Sequence, residues 1–280
     1  MNTMPSISLR DGAAIPVLGQ GTWQTAENRS RRAKEIEALR SGIDRGLTLI
    51  DTAEMYGDGA AEELVSEAID GRRDDVFLVS KVLPENASRQ GTVRACECSL
   101  KRLRTDCLDL YLLHWRGSVP LAETLEAFQR LIKDGKIRRW GVSNFDVEDM
   151  EELLALPGGS ACEINQVLFN LTRRGIELGL IPWLRQHDIP VMAYSPVEQG
   201  RLLRHRALRK VVEGLGATPA QVALAWVLAH PDVCAIPKAG RVEHVVENHG
   251  ALELRLTKED MAELDTAFPP PKKKVPLEML

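Results

Sequence analysis

Four side chains stand at or just past the ends of apolar runs, and together they could move a proton. Asp51 follows Leu49-Ile50, Tyr56 lies in the next turn, Lys81 closes the run that begins Val76-Phe77-Leu78-Val79, and His114 follows Leu108 to Leu113. A phenol with an ordinary pKa of ~10 is too weak an acid for fast proton donation near neutral pH. A lysine ammonium ~4 Å away, at an effective dielectric of ~20, would interact with the phenolate by ~4 kcal/mol and lower that pKa by about three units. The buried ammonium then needs a counter-charge, which Asp51 can supply. His114 can hold the oxygen that receives the proton. Such a set suits a carbonyl or an alcohol, and it still needs a source of electrons.

Taken singly, each residue has an ordinary explanation. Lys81 could snorkel to solvent, Asp51 could cap a helix ahead of Thr52, and Tyr56 could cap an edge. His114 could be a satisfied core histidine, Asn144 and Gln166 could satisfy loop backbone, and Lys238 could be a surface lysine. Competing chemistries find less support. There is no GxSxG nucleophile turn. The histidines show no metal-ligand spacing, since His244 and His249 would not share a helix face well, and no metal is expected. The glycine-rich dinucleotide turn fails at Gln24, after Gly19 and Gly21.

Positioning these groups requires a repeating frame. Short apolar runs at Leu18–Gly21, Thr48–Asp51, Val76–Lys81, Leu108–His114, Ile137–Ser143, Cys162–Val167, Ile189–Tyr194 and Cys234–Pro237 alternate with amphipathic stretches. Ile36, Leu39 and Ile43 share a helical face, as do Val93, Cys96, Leu100 and Leu103, and Leu121, Leu125, Phe128 and Leu131. Most intervals fit one strand plus one crossover helix. The pattern predicts an α/β fold, a (β/α)8 TIM barrel forming a single domain over residues 1–280. Asp11-Gly12 between Ser6–Arg10 and Ala13–Val17 predicts a two-residue hairpin plugging the N-terminal end. The long interval from Tyr194 to Cys234 predicts a binding loop and an extra helix before strand eight, and another helix follows that strand. Thr218-Pro219-Ala220-Gln221 opens a helix with a capping box. Strands two to eight each deliver a polar, aromatic or charged group to the C-terminal rim, where barrels of this class carry their chemistry.

Composition narrows the partners. At 44% hydrophobic and 27% charged the chain is globular rather than disordered, and a net charge of -4 argues against nucleic acid or an anionic membrane as the main partner. Apolar stretches fall far short of the ~20 residues that a membrane span needs. Met1 to Arg10 lacks a basic region followed by an apolar core, so no secretion signal is expected. The odd cysteine count, with Cys96 and Cys98 too close for a CxxC pair, suits a reduced cytoplasmic setting. A monomer or weak homo-oligomer is expected. The tail Pro269 to Lys274 reads as a solvated extended segment.

Several ordered motifs resemble the aldo-keto reductases over nearly the whole chain. They are Gly19-Gln20-Gly21-Thr22-Trp23, Asp51-Thr52-Ala53-Glu54-Met55-Tyr56-Gly57, Leu112-Leu113-His114-Trp115, Gly141-Val142-Ser143-Asn144-Phe145 and Ile236-Pro237-Lys238. The chain is most similar to the compact bacterial branch that includes methylglyoxal reductases. The resemblance implies a catalytic tetrad of Asp51, Tyr56, Lys81 and His114, with Tyr56 as general acid and NADPH as hydride source. It implies that Ser143, Asn144 and Gln166 hold the nicotinamide carboxamide, with Tyr194 stacked on the ring. Gly21, Thr22, Trp23 and Asp51 would line the nicotinamide end, and Ser195-Pro196-Val197 would follow the pyrophosphate. Lys238, Ala239 and His244 would lie at the 2′-phosphate, with Glu247 and Asn248 near the adenine.

The chain departs from the family where Ala239 replaces a frequent serine or threonine and His244 a frequent arginine, although Arg241 is close by. NADPH is favoured, with NADH possible. Trp23, Tyr56, His114 and Trp115 would contact a small-molecule carbonyl substrate. Short segments after His114 and after the last helix suggest a shallow pocket for small aldehydes and 2-oxoaldehydes. Alternatives are a keto-sugar or keto-acid reductase of the same family, with Arg116 as a candidate for an acidic group, or a cofactor-sensing interaction subunit with little turnover. A phosphate-binding isomerase would need a glycine-rich phosphate loop that is missing.

Overall fold

A computed structural model describes residues 4–280. The chain opens with an antiparallel hairpin, β1 (Ser6–Ser8) and β2 (Ala14–Pro16), paired Ser8 to Ala14. Its turn differs from the sequence expectation. Leu9 donates its N–H to Ala13 C=O at 2.8 Å and Gly12 donates to Leu9 C=O at 3.0 Å, so the loop is Arg10-Asp11-Gly12. A two-residue Asp-Gly turn would need positive φ at both positions. Only Gly12 has it, at +86°. Asp11 is occupied otherwise, since its carboxylate accepts the Ala13 N–H at 2.9 Å and its own N–H goes to Glu163 at 3.2 Å.

Eight parallel strands follow: β3 (Gln20–Gly21), β4 (Leu49–Asp51), β5 (Phe77–Val82), β6 (Leu110–Leu113), β7 (Trp140–Ser143), β8 (Asn165–Leu168), β9 (Val191–Tyr194) and β10 (Val233–Ala235). They lie in chain order, and the last meets the first. Gly19 N–H reaches Ala235 C=O at 2.8 Å and Gly21 N–H reaches Pro237 C=O at 3.1 Å. Most regular ladders are shorter than the apolar runs, because the runs enter the sheet through isolated bridges such as Leu108 to Ile137.

The crossovers carry α1 (Arg32–Asp44), α2 (Ala60–Ala68), α3 (Arg89–Leu103), α4 (Leu121–Lys133), α5 (Val147–Ala155) and α6 (Leu180–Gln186). Next come the extra helix α7 (Arg206–Val212), then α8 (Pro219–Leu228), α9 (Val242–Gly250) and a second extra helix, α10 (Lys258–Ala267). The anticipated faces turn inward: Leu39 and Ile43 on α1, Cys96, Leu100 and Leu103 on α3, and Leu121, Leu125, Phe128 and Leu131 on α4 are buried, while Ile36 and Val93 are half-buried. Thr218 and Gln221 cap α8 reciprocally, with Pro219 in the first turn.

Side-chain alternation along the strands sorts the interior into two zones. Leu49, Val79, Leu110, Leu112, Ile164, Met192 and Cys234 form an apolar plug with Leu9 and Ile15 of the hairpin. Two residues further along their strands, on the same inward face, stand Asp51, Lys81, His114, Gln166 and Tyr194. The pleat that buries the plug therefore aims these polar groups into the opposite mouth.

Candidate active site

At that mouth lies a cavity of about 690 Å³. Lys81 is fully buried at its floor, and its Nζ donates to three oxygens: Asp51 Oδ2 at 2.8 Å, Thr52 C=O at 2.9 Å and Tyr56 Oη at 3.1 Å. An ammonium has three N–H bonds and no acceptor. The three contacts thus use the charged amine completely, and they make Tyr56 Oη an acceptor from it. The phenolic O–H is left to donate elsewhere. The second Asp51 oxygen, Oδ1, accepts from Gln166 Nε2 at 2.7 Å.

The Tyr56 turn is fixed from outside. It passes through left-handed Gly57, Asp58 and Gly59 before α2. At Gly59 (φ +92°) a Cβ would stand 2.5 Å from Arg102 Cδ. Arg102 Nε pairs at 2.5 Å with the buried Glu62, which accepts from Ser80 Oγ at 2.6 Å. Ser80 immediately precedes Lys81, so one buried carboxylate ties the tyrosine turn to the lysine strand.

The electrostatics differ from the sequence expectation. Burial, reinforced by Asp51, holds the Tyr56 phenol well above its ordinary range. Burial also lowers Lys81, against the raising effect of Asp51. Desolvation outweighs the ammonium in the resting site, so the phenol rests protonated. The Lys81 contact is placed to stabilise negative charge on the phenol oxygen. His114 is driven down to about 2 by burial and then by Lys81, and it is a neutral imidazole. Its Nδ1 is buried without a hydrogen-bond partner among the described residues. Trp23 and His114 pack edge-on to Tyr56, with centroids at 5.1 and 5.8 Å, and Trp115 lies 4.8 Å from His114, giving the aromatic wall anticipated from the sequence.

Of the site residues singled out from the sequence, Thr22, Lys81, Arg116, Ala239 and Arg241 do not line the cavity and the others do. Thr22 donates both its N–H and its Oγ1 to Asp51 C=O, at 3.0 and 2.9 Å, and so fixes the aspartate rather than a ligand. Ser143, Asn144 and Gln166 come together but are already engaged. Ser143 Oγ donates to Gln166 C=O at 2.8 Å, and Asn144 donates to His114 C=O at 3.1 Å while accepting from Tyr194 Oη at 3.0 Å. Gln166 Nε2 donates to Asp51 Oδ1 at 2.7 Å and to Met192 Sδ at 2.9 Å, leaving its oxygen for an amide donor.

At the far end Lys238 is joined by Glu35 at 3.8 Å, and Arg241 bonds His244 at 3.0 Å beside the N-terminus of α9. A helix start flanked by two cations suits a phosphate. The cavity therefore fits an elongated dinucleotide, with its cationic end far from the tetrad. Arg116 is not free for a substrate, because it bridges to Glu152 at 3.0 Å and to Val119 C=O.

Sequence reasoning missed part of the wall. Gln24, Met55, Gln199, Gly200, Leu203, Met279 and Leu280 also line the cavity. Pro269 to Lys274 are largely exposed and without regular structure, as anticipated. Beyond them Val275 lies against Gly175 and Glu278 pairs with Arg173 at 2.6 Å, bringing Met279 and Leu280 to the mouth. Among the described residues, no group of three or more His, Cys, Asp or Glu could hold a metal ion, and no helix is long and apolar enough to cross a membrane.

An eight-stranded parallel barrel with a Tyr-Lys-Asp-His cluster at its C-terminal mouth defines a class of carbonyl oxidoreductases. The chain belongs to the Aldo/keto reductase family, whose sequence profile it matches over residues 17–268. It is 52% identical over 279 residues, 98% of both chains, to methylglyoxal reductase YeaE of Escherichia coli. It is 34% identical to the glyoxal reductase of Bacillus subtilis, covering 93% of this chain and 91% of that one. An aldo/keto reductase from Klebsiella pneumoniae, solved in complex with NADP and acetate, superposes with a TM-score of 0.96 at 52% identity, over 99% of this chain and 100% of that one.

Proposed function

We propose that the protein is an NADPH-dependent reductase of small aldehydes and ketones, with 2-oxoaldehydes such as methylglyoxal and aromatic aldehydes as substrates. The observation that carries this reading is the saturated Lys81, whose three contacts leave the Tyr56 proton aimed at a ligand. NADPH, when bound, supplies the hydride to the carbonyl carbon. Tyr56 donates its proton to the carbonyl oxygen. Lys81, anchored by Asp51, stabilises the charge left on the phenol oxygen. His114, neutral at working pH, orients the carbonyl oxygen through a single N–H. Ser143, Asn144 and Gln166 would hold the nicotinamide amide, with Tyr194 beside the ring. Lys238, Arg241 and His244 receive the 2′-phosphate. The relatives' printed activities support the substrate class, and the occupied Arg116 gives a keto-acid no obvious partner there.

NADPH oxidation with methylglyoxal or a nitrobenzaldehyde tests the reading. Tyr56→Phe is expected to lose at least ~10²-fold in kcat, the scale of a removed general acid, with NADPH binding retained. Normal turnover by that variant would remove the assigned acid. NADPH should exceed NADH in kcat/KM by about tenfold or more, on the scale of one charge-assisted phosphate contact. Equal efficiency overturns the cofactor assignment. We further infer that residues 1–280 act as one barrel domain, a cytoplasmic monomer or weak homo-oligomer with no nucleic-acid partner.

A further inference from the structure

Two walls of the cavity come from segments outside the barrel strands, and one side chain behind them touches both. The loop after β9 contributes Ser195, Val197 and Gln199 to the cavity, but its Glu198 turns away and is nearly buried. Arg173, in the loop after β8, donates Nε and Nη2 to Glu198 Oε1 at 3.2 and 3.1 Å. Its Nη1 reaches Glu278 Oε1 at 2.6 Å, one residue before Met279 and Leu280 arrive at the mouth. Arg173 itself does not line the cavity.

The Glu198 attachment is buried, whereas the Glu278 attachment sits on an exposed stretch of tail. The Glu198 carboxylate also accepts from Asn170 at 2.8 Å and Arg201 at 3.0 Å, and Asn170 holds Ser195 C=O at 2.9 Å. These contacts keep the loop in a left-handed course, with φ of +48° at Ser195, +50° at Glu198 and +53° at Gln199, which a free loop would leave. The tail passes close to the barrel, since at Gly175 a Cβ would stand 2.7 Å from Cγ2 of the exposed Val275.

We infer that Arg173 is a positioning residue that couples the cofactor loop to the C-terminal strap, so that the substrate end is completed only when the cofactor loop is in place. The inference rests on the reading of this cavity as the site of NADPH and a small carbonyl.

The test uses the full chain and two separate readouts: NADPH Kd from quenching of tryptophan fluorescence, and carbonyl KM at saturating NADPH. Glu278→Gln should raise carbonyl KM by about threefold, the scale of a half-exposed ion pair, and leave NADPH Kd within about twofold. Arg173→Met should raise both quantities about tenfold, as befits a guanidinium serving two carboxylates, and Arg173→Lys should recover part of each. Adding Glu278→Gln to Arg173→Met should raise KM no further, because the strap is already released. The inference is overturned if Arg173→Met moves Kd alone, or if the two KM effects multiply. Should Arg173→Met fail to fold, a wild-type KM in Glu278→Gln overturns it equally. A wild type that neither binds nor oxidises NADPH would sink the functional reading instead, a result that Kd of the unmodified chain reports on its own.

Discussion

The two ends of the barrel interior are built from the same strands by the same alternation, yet they meet opposite costs. At the hairpin end Leu49, Val79, Leu110 and Ile164 lose only water, and their burial stabilises the fold. Two residues on, Asp51, Lys81 and Gln166 are equally inaccessible, and each loses hydration that must be replaced bond for bond. The replacement is complete at Lys81 and Asp51. At His114 it is not, since Nδ1 is left without a partner. Substitutions should therefore separate the two ends: in the apolar plug they should cost stability alone, and at the polar mouth both stability and turnover.

Lys81→Met should give the largest response. Removing one member of the buried pair leaves Asp51 uncompensated and should cost about 3–5 kcal/mol of stability, together with kcat, as seen in denaturant melts and in single turnovers. A mild effect on kcat in folded protein would show that the ammonium does not serve the phenol. At the other end, Leu110→Ala should cost about 2–5 kcal/mol through the cavity it leaves, while kcat per folded molecule stays within about twofold. A large kcat loss there would mean that the two zones are mechanically coupled.

The pH response is intermediate. His114 titrates far below its unfolded range, so the unfolded chain binds a proton that the native site refuses. Its contribution is present above about pH 6.5 and is lost as pH falls, with a slope of at most about 1.4 kcal/mol per pH unit. His114→Gln should flatten that portion of a Tm-versus-pH curve, and an unchanged slope would place the titration elsewhere. The smallest effect belongs to the hairpin. Gly12→Ala meets no neighbour but forces a side chain into left-handed backbone, costing about 1 kcal/mol in a thermal melt without touching activity.

The sequence makes some of these features legible and hides others. The tetrad is readable because period-two alternation carries an apolar run straight into Asp51, Lys81 and His114, and nothing in a packed core asks for that switch. The helical faces are readable for the same reason at a different period. The hairpin loop is not, because the Asp11 N–H is held by Glu163, a contact 152 residues away in the chain. The direction of the Tyr56 shift depends on how completely the site is dried, which pairwise charges alone do not tell. Nor does a stretch such as Val275 to Leu280 announce its seat: Gly175 and Arg173 lie a hundred residues upstream and carry no motif.

One consequence of the lysine's enclosure concerns self-damage. Dicarbonyl compounds glycate amines, and the attack requires a free lone pair and room for the adduct. The amine at the centre of this machinery has neither, with every N–H engaged and no accessible surface. Outlying side chains such as Arg204 and Lys210 are exposed and would react first, so dicarbonyl exposure would mark the exterior long before it reached Lys81.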